Sequence, residues 1–144
     1  MSLRTRLAVA LAAASLGCGK DKAPPSESFA GTWNATRVEF VSTADPATRV
    51  DIVAQGSKVT VVLDARGTYT TTTRAPGLPD DVSTGTWSAS SDVITMQETG
   101  VPWSQQFSYA LAGNTLTLTG ADAEFDFDDD GTGEPAKLNV TLTR

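Results

Sequence analysis

A series of short apolar strands separated by turns, over residues 59–119, constrains the fold of this chain more than any other feature. The runs, in order, are VTVVLDA, GTYTTTTR, STGTWSAS, VITMQE, FSYALA and NTLTLT. They are rich in Thr, Val and aromatic residues, which suit strands, and they are bounded by Gly, Asn, Asp and Ser, which suit turns. This pattern predicts an antiparallel meander in which each strand pairs with the next one along the chain.

Strand-like runs also flank this stretch, and about ten occur within residues 29–144, with no helix predicted among them. The alternation of apolar residues changes parity within residues 34–42, which predicts a bulge or a strand buried on both faces. Residues 49–55 are predicted as one strand, and Phe125 and Phe127 as a short strand of their own.

An open meander leaves two strand edges exposed, and closing the sheet on itself removes both of them. We therefore predict an all-β fold, an antiparallel up-and-down β-barrel of about 8–10 strands. A barrel of this size is either filled by its own side chains or holds one small ligand.

The N-terminal segment has the layout of a secretory signal. Arg4 and Arg6 precede an apolar run of about eleven residues, LAVALAAASLG, which is too short to span a bilayer. We therefore expect residues 1–17 to be a signal peptide. The alternative to a lipoprotein signal is an ordinary secretory signal that is cleaved near the same position.

The end of this segment, Leu16-Gly17-Cys18, resembles the lipobox of bacterial lipoproteins. The resemblance implies that Cys18 carries acyl chains such as palmitate and anchors the protein in the membrane. Gly19 stands where related lipoproteins have Asp to favour inner-membrane retention, so the expected location is the outer membrane. Residues 18–28 are then the lipidated cysteine and a flexible Pro/Ser linker, and residues 29–144 are the folded domain.

The charge of the chain argues against nucleic acid as a partner. The net charge is −6, and it becomes −8 once Arg4 and Arg6 are removed with the signal peptide. No cluster of Lys or Arg follows Lys22, so nothing matches the basic surface that phosphate backbones require.

The residue types that most catalytic sites need are missing or scattered. The chain has no His and one Cys, which excludes Ser-His-Asp and Cys-His nucleophiles and the usual zinc sites. Paired carboxylates need two acids held across a cleft, and nothing in the sequence brings Glu39, Glu98 and Glu124 together. We therefore expect a protein that is not an enzyme.

Gly31-Thr32-Trp33 resembles the glycine-x-tryptophan motif that opens lipocalin-type barrels. The ordered series GTY, GTW, VIT and FSYALAGNTLTLT is similar to small bacterial lipocalin-like domains, over residues 29–144. The resemblance implies a barrel, often lipid-anchored, that has Trp33 packed across one end and binds an apolar molecule. A second copy of the motif, Gly85-Thr86-Trp87, is interpreted as a strand entry of similar geometry.

The aromatic residues of the alternating strands either line a pocket for a small apolar ligand or fill the core. These candidate ligand contacts are Trp33, Tyr69, Trp87, Phe107 and Tyr109. Two functions follow: a carrier of a small apolar molecule, or a structural or protein-interaction module of the cell envelope with a filled core. The second would use loops 75–81 and 99–103, where Trp103 is expected to be exposed.

An acidic segment, DFDDDG at residues 126–131, matches the first half of a calcium-binding loop. The candidate calcium ligands are Asp126, Asp128, Asp130 and Glu134. Lys137 occupies the position where a bidentate Glu is expected, and no helices are predicted beside the loop. The alternative is a Gly-rich hairpin whose aspartates point into water, so the sequence leaves calcium stabilisation open.

Overall fold

The computed structural model describes residues 22–144 of the chain, which contain nine strands and one 3-10 turn (Ser26–Ser28). The strands are β1 (Gly31–Ser42), β2 (Arg49–Asp51), β3 (Lys58–Leu63), β4 (Thr68–Arg74), β5 (Asp81–Ala89), β6 (Val93–Glu98), β7 (Gln105–Ala112), β8 (Thr115–Phe125) and β9 (Glu134–Thr143). Within residues 22–144, no helix is long and apolar enough to cross a membrane. The predicted signal peptide and Cys18 lie outside the described residues.

Strand β1 closes the sheet into a barrel because it pairs along both of its edges. Its first residues pair with β3, where Gly31 lies opposite Leu63, and most of its length pairs with β9, where Val38 lies opposite Val140. From β3 to β9 each strand pairs antiparallel with the next. The eight strands β1 and β3–β9 therefore form a closed up-and-down barrel, which confirms the predicted fold class. The short strand β2 pairs with residues 39–41 of β1, beyond the part that pairs with β3.

A bulge in β1 aligns its side chains with the barrel interior. The register with β9 shifts between Ala35 and Arg37. Trp33 and Val38 have opposite parity in the sequence, and the extra residue of the bulge lets both of them be buried. The parity change in the sequence therefore corresponds to a bulge, one of the two readings that it allowed.

A second bulge lies in β8, which is one long strand. Its register with β9 shifts between Leu118 and Ala121. Gly120 adopts a φ of +84° there, which costs glycine little, and its N–H donates to the Oδ1 of Asn139 at 3.0 Å. The prediction of a separate strand at Phe125 and Phe127 is wrong, because β8 continues through this bulge to Phe125 and Phe127 lies in the next loop.

The predicted strand over residues 49–55 is wrong beyond Asp51. Residues 52–57 form a turn instead, and the Asp51 carboxylate organises it. Its Oδ1 accepts the N–H of Val53 at 3.0 Å and that of Val38, on the neighbouring strand β1, at 3.1 Å. A side-chain oxygen that takes up these backbone donors stabilises the turn over an extended strand.

The alternating strand directions give the barrel two distinct ends. One end, here called the floor, carries the three tight turns 64–67, 90–92 and 113–114. The other, called the mouth, carries the longer connections 43–48, 52–57, 75–80, 99–104 and 126–133. Gly113 and Asn114 form the turn of a hairpin that places Ala112 opposite Thr115. Fully buried side chains concentrate toward the floor: Trp33, Phe29, Ile94, Leu116 and Leu142.

Candidate functional site

The floor of the barrel is sealed by Phe29, which immediately precedes β1. Its side chain is 0% exposed and meets the rings of Trp87 and Tyr109 edge-on, with centroid distances of 5.5 and 5.2 Å. The indole N–H of Trp33 donates to the Phe29 carbonyl oxygen at 2.7 Å. Edge-to-face aromatic contacts of this kind stabilise beyond the area that they bury.

Arg144 covers the floor from outside. The carbon at the centre of its guanidinium group lies 4.4 Å from the centroid of the Trp33 ring, within the range of a cation–π contact. The same group donates to the carbonyl oxygens of Ala30 at 2.9 Å and Ser28 at 3.1 Å. The segment that enters the barrel is therefore joined to the end of β9 at the floor.

Above the floor, the barrel encloses a cavity of about 220 Å³. Most of its wall is aliphatic or aromatic and comes from β1, β3, β8 and β9, together with the inward residues of β6 and β7. It reaches from Leu63, Leu116 and Leu142 near the floor to Glu98 and Gln105 at the mouth. The barrel is therefore not completely filled by its own side chains.

The polar residues of the cavity wall lie together on one side. They come from β4–β7 and are Thr71, Thr73, Ser83, Glu98 and Gln105. Thr71 lies directly opposite Ser83 in the pairing of β4 with β5. The cavity therefore combines an apolar interior with a polar strip near the mouth, an arrangement suited to orienting a ligand that has one polar end.

Glu98, the last residue of β6, is the only charged residue among those that line the cavity in the described chain. Within residues 22–144, no Lys or Arg nitrogen lies within 4.0 Å of its carboxylate, in contrast to Glu39, which pairs with Arg37 and Arg49. Burial, followed by the negative charge of Glu98, raises the pKa of the Tyr69 hydroxyl. Glu98 itself is exposed, so its carboxylate stands at the mouth of the cavity.

The five aromatic residues predicted as ligand contacts divide between the cavity and the floor. Tyr69 and Phe107 line the cavity. Trp33, Trp87 and Tyr109 belong to the floor and are not among the lining residues, and the Tyr109 hydroxyl donates to the Ser90 carbonyl oxygen at 2.7 Å. Only two of the five are therefore positioned to touch a molecule in the cavity.

Two features of the site were not apparent from the sequence reasoning: Phe29 as the seal of the floor, and Glu98 with Gln105 as the polar rim. The position of each residue relative to its strand could have indicated both features: Phe29 comes just before β1, Glu98 ends β6 and Gln105 begins β7. In an up-and-down barrel, the end of β6 and the start of β7 must lie at the same end, so these two residues meet at the mouth.

The four candidate calcium ligands lie close together in the loop after β8. One carboxylate oxygen from each of Asp126, Asp128, Asp130 and Glu134 lies within 4.8 Å of the others. These groups also bind the loop itself: Asp126 accepts the N–H of Gly131 at 2.8 Å, and Glu134 accepts that of Phe127 at 2.7 Å. Such bonds also organise an acidic hairpin without a metal, so the four residues stay candidate ligands and the metal-free hairpin stays the alternative.

A closed antiparallel barrel with a sealed floor and an internal cavity defines the class of this protein as a calyx-shaped β-barrel. Residues 29–118 match the family model described as a lipocalin-like domain. The chain belongs to this family, as the sequence predicts. No curated protein matches it. Lipocalin-like barrels often bind small hydrophobic ligands, and the family is generally one of binding proteins.

Proposed function

We propose that this protein is a lipid-anchored carrier that holds one small apolar molecule in its barrel, in the envelope of a bacterium. The observation that carries the proposal is the cavity of about 220 Å³ above the floor. A core that served only for stability would leave no such volume, because protein interiors pack to the density of organic crystals.

The size of the cavity limits the ligand. A water molecule takes about 30 Å³ of liquid, so the cavity has the volume of about seven waters. A methylene group is of similar size, so about seven or eight methylenes would fill it. This lies below the usual range for ligand pockets, which is about 300–1,000 Å³. The proposed ligand is therefore a short acyl chain or a small ring system of similar volume.

Binding of an uncharged fluorescent naphthylamine tests the carrier function. The dye is expected to become brighter and blue-shifted when it enters the cavity. In Thr71→Trp an indole fills the cavity from β4, and we expect at least a tenfold loss of dye affinity. Thr70→Trp is the matched control, because Thr70 is the neighbouring residue of β4 and is not part of the cavity wall.

Equal dye affinity in the wild type and both variants would contradict binding inside the barrel. Thermal melting shows whether each variant is folded. Where Thr71→Trp does not fold, Val140→Phe fills the cavity from the opposite wall, on β9, and replaces it in the comparison.

The membrane anchor is supported by the sequence around Cys18. Two or more acyl chains hold a protein stably at a membrane, whereas one chain gives marginal binding. We expect the protein purified from native membranes to show an acyl mass on an N-terminal Cys18, and Cys18→Ser to be recovered in the soluble fraction. An unmodified Cys18, or cleavage at another residue, would favour ordinary secretion instead.

A second candidate function, contact with an envelope protein, is supported by exposed apolar side chains. Trp103 is 68% exposed, and Leu78, in the loop before β5, is 67% exposed. Both side chains lie in loops at the mouth, where they are accessible to a partner protein. This function does not need the cavity, so we place it second to the carrier function.

A further inference from the structure

We propose that the ligand of this barrel is a cationic amphiphile, with a short apolar chain in the cavity and an ammonium group held by Glu98 at the mouth. The inference rests on the proposed carrier function and specifies the chemistry of its ligand. It uses three features: the isolation of Glu98, the charge of the mouth and the position of the polar strip.

The first feature is that the carboxylate of Glu98 faces the cavity without a positively charged partner. Glu98 lines the cavity, and in the described chain none of the other lining residues is charged. No Lys or Arg of residues 22–144 lies within 4.0 Å of it. Glu98 is exposed at the mouth, so a ligand cation can reach its carboxylate while the apolar chain of the same ligand lies in the cavity.

The second feature is the charge of the loops around the mouth. The five connections at this end, all between residues 43 and 133, contain six aspartates and no Lys or Arg. These aspartates are Asp45, Asp80, Asp126, Asp128, Asp129 and Asp130. Of these, Asp80 pairs with Arg74 at the end of β4. Arg49, Lys58 and Arg74 stand at the adjoining strand ends, so the mouth carries an excess of negative charge rather than one sign alone. Such an excess concentrates ligands of the opposite sign and speeds their association.

The third feature is the location of hydrogen-bond acceptors beside Glu98. Gly85 lies opposite Glu98 in the pairing of β5 with β6, and Ser83, two residues earlier, also lines the cavity. Gln105 begins the next strand at the same end. An ammonium group has three N–H donors and no acceptor, so a carboxylate flanked by hydroxyl and amide oxygens can satisfy all three.

The same arrangement disfavours an anionic amphiphile such as a fatty acid. Its carboxylate would face Glu98 and the aspartates of the mouth, with no Lys or Arg among the cavity-lining residues to neutralise it. Like charges repel, and at an exposed rim the repulsion is largest at low salt. An uncharged alcohol would fill the cavity equally well but would gain only a neutral hydrogen bond.

Displacement of the bound naphthylamine by three ligands of equal chain length tests the inference. The ligands are octylammonium, octanol and octanoate, measured at low salt and neutral pH. We expect octylammonium to bind about fivefold more tightly than octanol, the gain expected from one solvent-exposed ion pair, and octanoate to bind most weakly. Glu98→Gln should remove the advantage of octylammonium over octanol.

Glu124→Gln is the matched control, because Glu124 is an exposed acid near the mouth end of β8 and is not part of the cavity wall. This variant should retain the preference for octylammonium. Equal binding of all three ligands, or an unchanged preference in Glu98→Gln, would overturn the inference while the carrier function stands. Absence of any dye binding to the wild type would overturn the carrier function itself.

Discussion

Replacing Trp33 with alanine is expected to lower the free energy of unfolding by about 3–5 kcal/mol, a large part of the stability of a domain of this size. The Trp33 side chain is 0% exposed, donates to the Phe29 carbonyl oxygen, and carries the Arg144 guanidinium on its face. Its removal leaves a cavity at the floor and also removes these two contacts. Equilibrium unfolding in urea, followed by far-UV circular dichroism, measures the change.

Trp103→Ala is the matched control, because it makes the same chemical change at a side chain that is 68% exposed. Surface substitutions of this kind usually change the free energy of unfolding by no more than about 0.5 kcal/mol. Similar losses for Trp33→Ala and Trp103→Ala would contradict the role of Trp33 in sealing the barrel.

Replacing Gly85 with alanine is expected to cost about 3 kcal/mol. An added Cβ would lie 2.0 Å from the carbonyl oxygen of Gln97 and 2.7 Å from Cε1 of Tyr69. One of these contacts is with the backbone of β6, so the pairing of β5 with β6 must shift. Since Tyr69 lines the cavity, we also expect weaker binding of the naphthylamine dye. Urea unfolding and dye titration measure the two effects.

Gly133→Ala provides a glycine-matched control. Gly133 has no positive φ, and an added Cβ would meet only the flexible side chain and nearby backbone of the opposite strand, the closest atom being the Cβ of Glu124 at 3.1 Å. We expect a change of less than about 1 kcal/mol, since a compatible Gly→Ala change also reduces the entropy of the unfolded chain. A loss at Gly133 as large as that at Gly85 would show that the close packing beneath Tyr69 is not the cause.

The barrel could be predicted from the sequence because the period of two in apolar residues is local information. Val59, Val61 and Leu63 of β3 are all buried as their alternation indicates. The same pattern misleads at residues 52–55, because Ile52 lines the cavity from a turn organised by Asp51. Alternation alone does not distinguish a strand from a turn that places one apolar side chain inward.

The site was harder to predict because it depends on how far each residue lies along its strand. Aromatic residues commonly line ligand cavities. Trp33, near the start of β1, and Trp87, near the end of β5, lie at the floor instead. Considering Glu98 only as a catalytic acid hides its position at the mouth. The distances that make Gly85 intolerant of a Cβ depend on packing between strands, which the sequence does not reveal.

The end of the barrel at which the N-terminal segment lies affects where a ligand would enter and leave. Pro24 and Ser26 lie beside the 64–67 turn, so the N-terminal segment arrives at the floor. A lipid on Cys18 would therefore attach the protein at its closed base and leave the opening on the side away from the point of attachment. Passenger molecules would then be collected from solution or from a donor facing the opening, and the leaflet that holds the tether would not supply them directly.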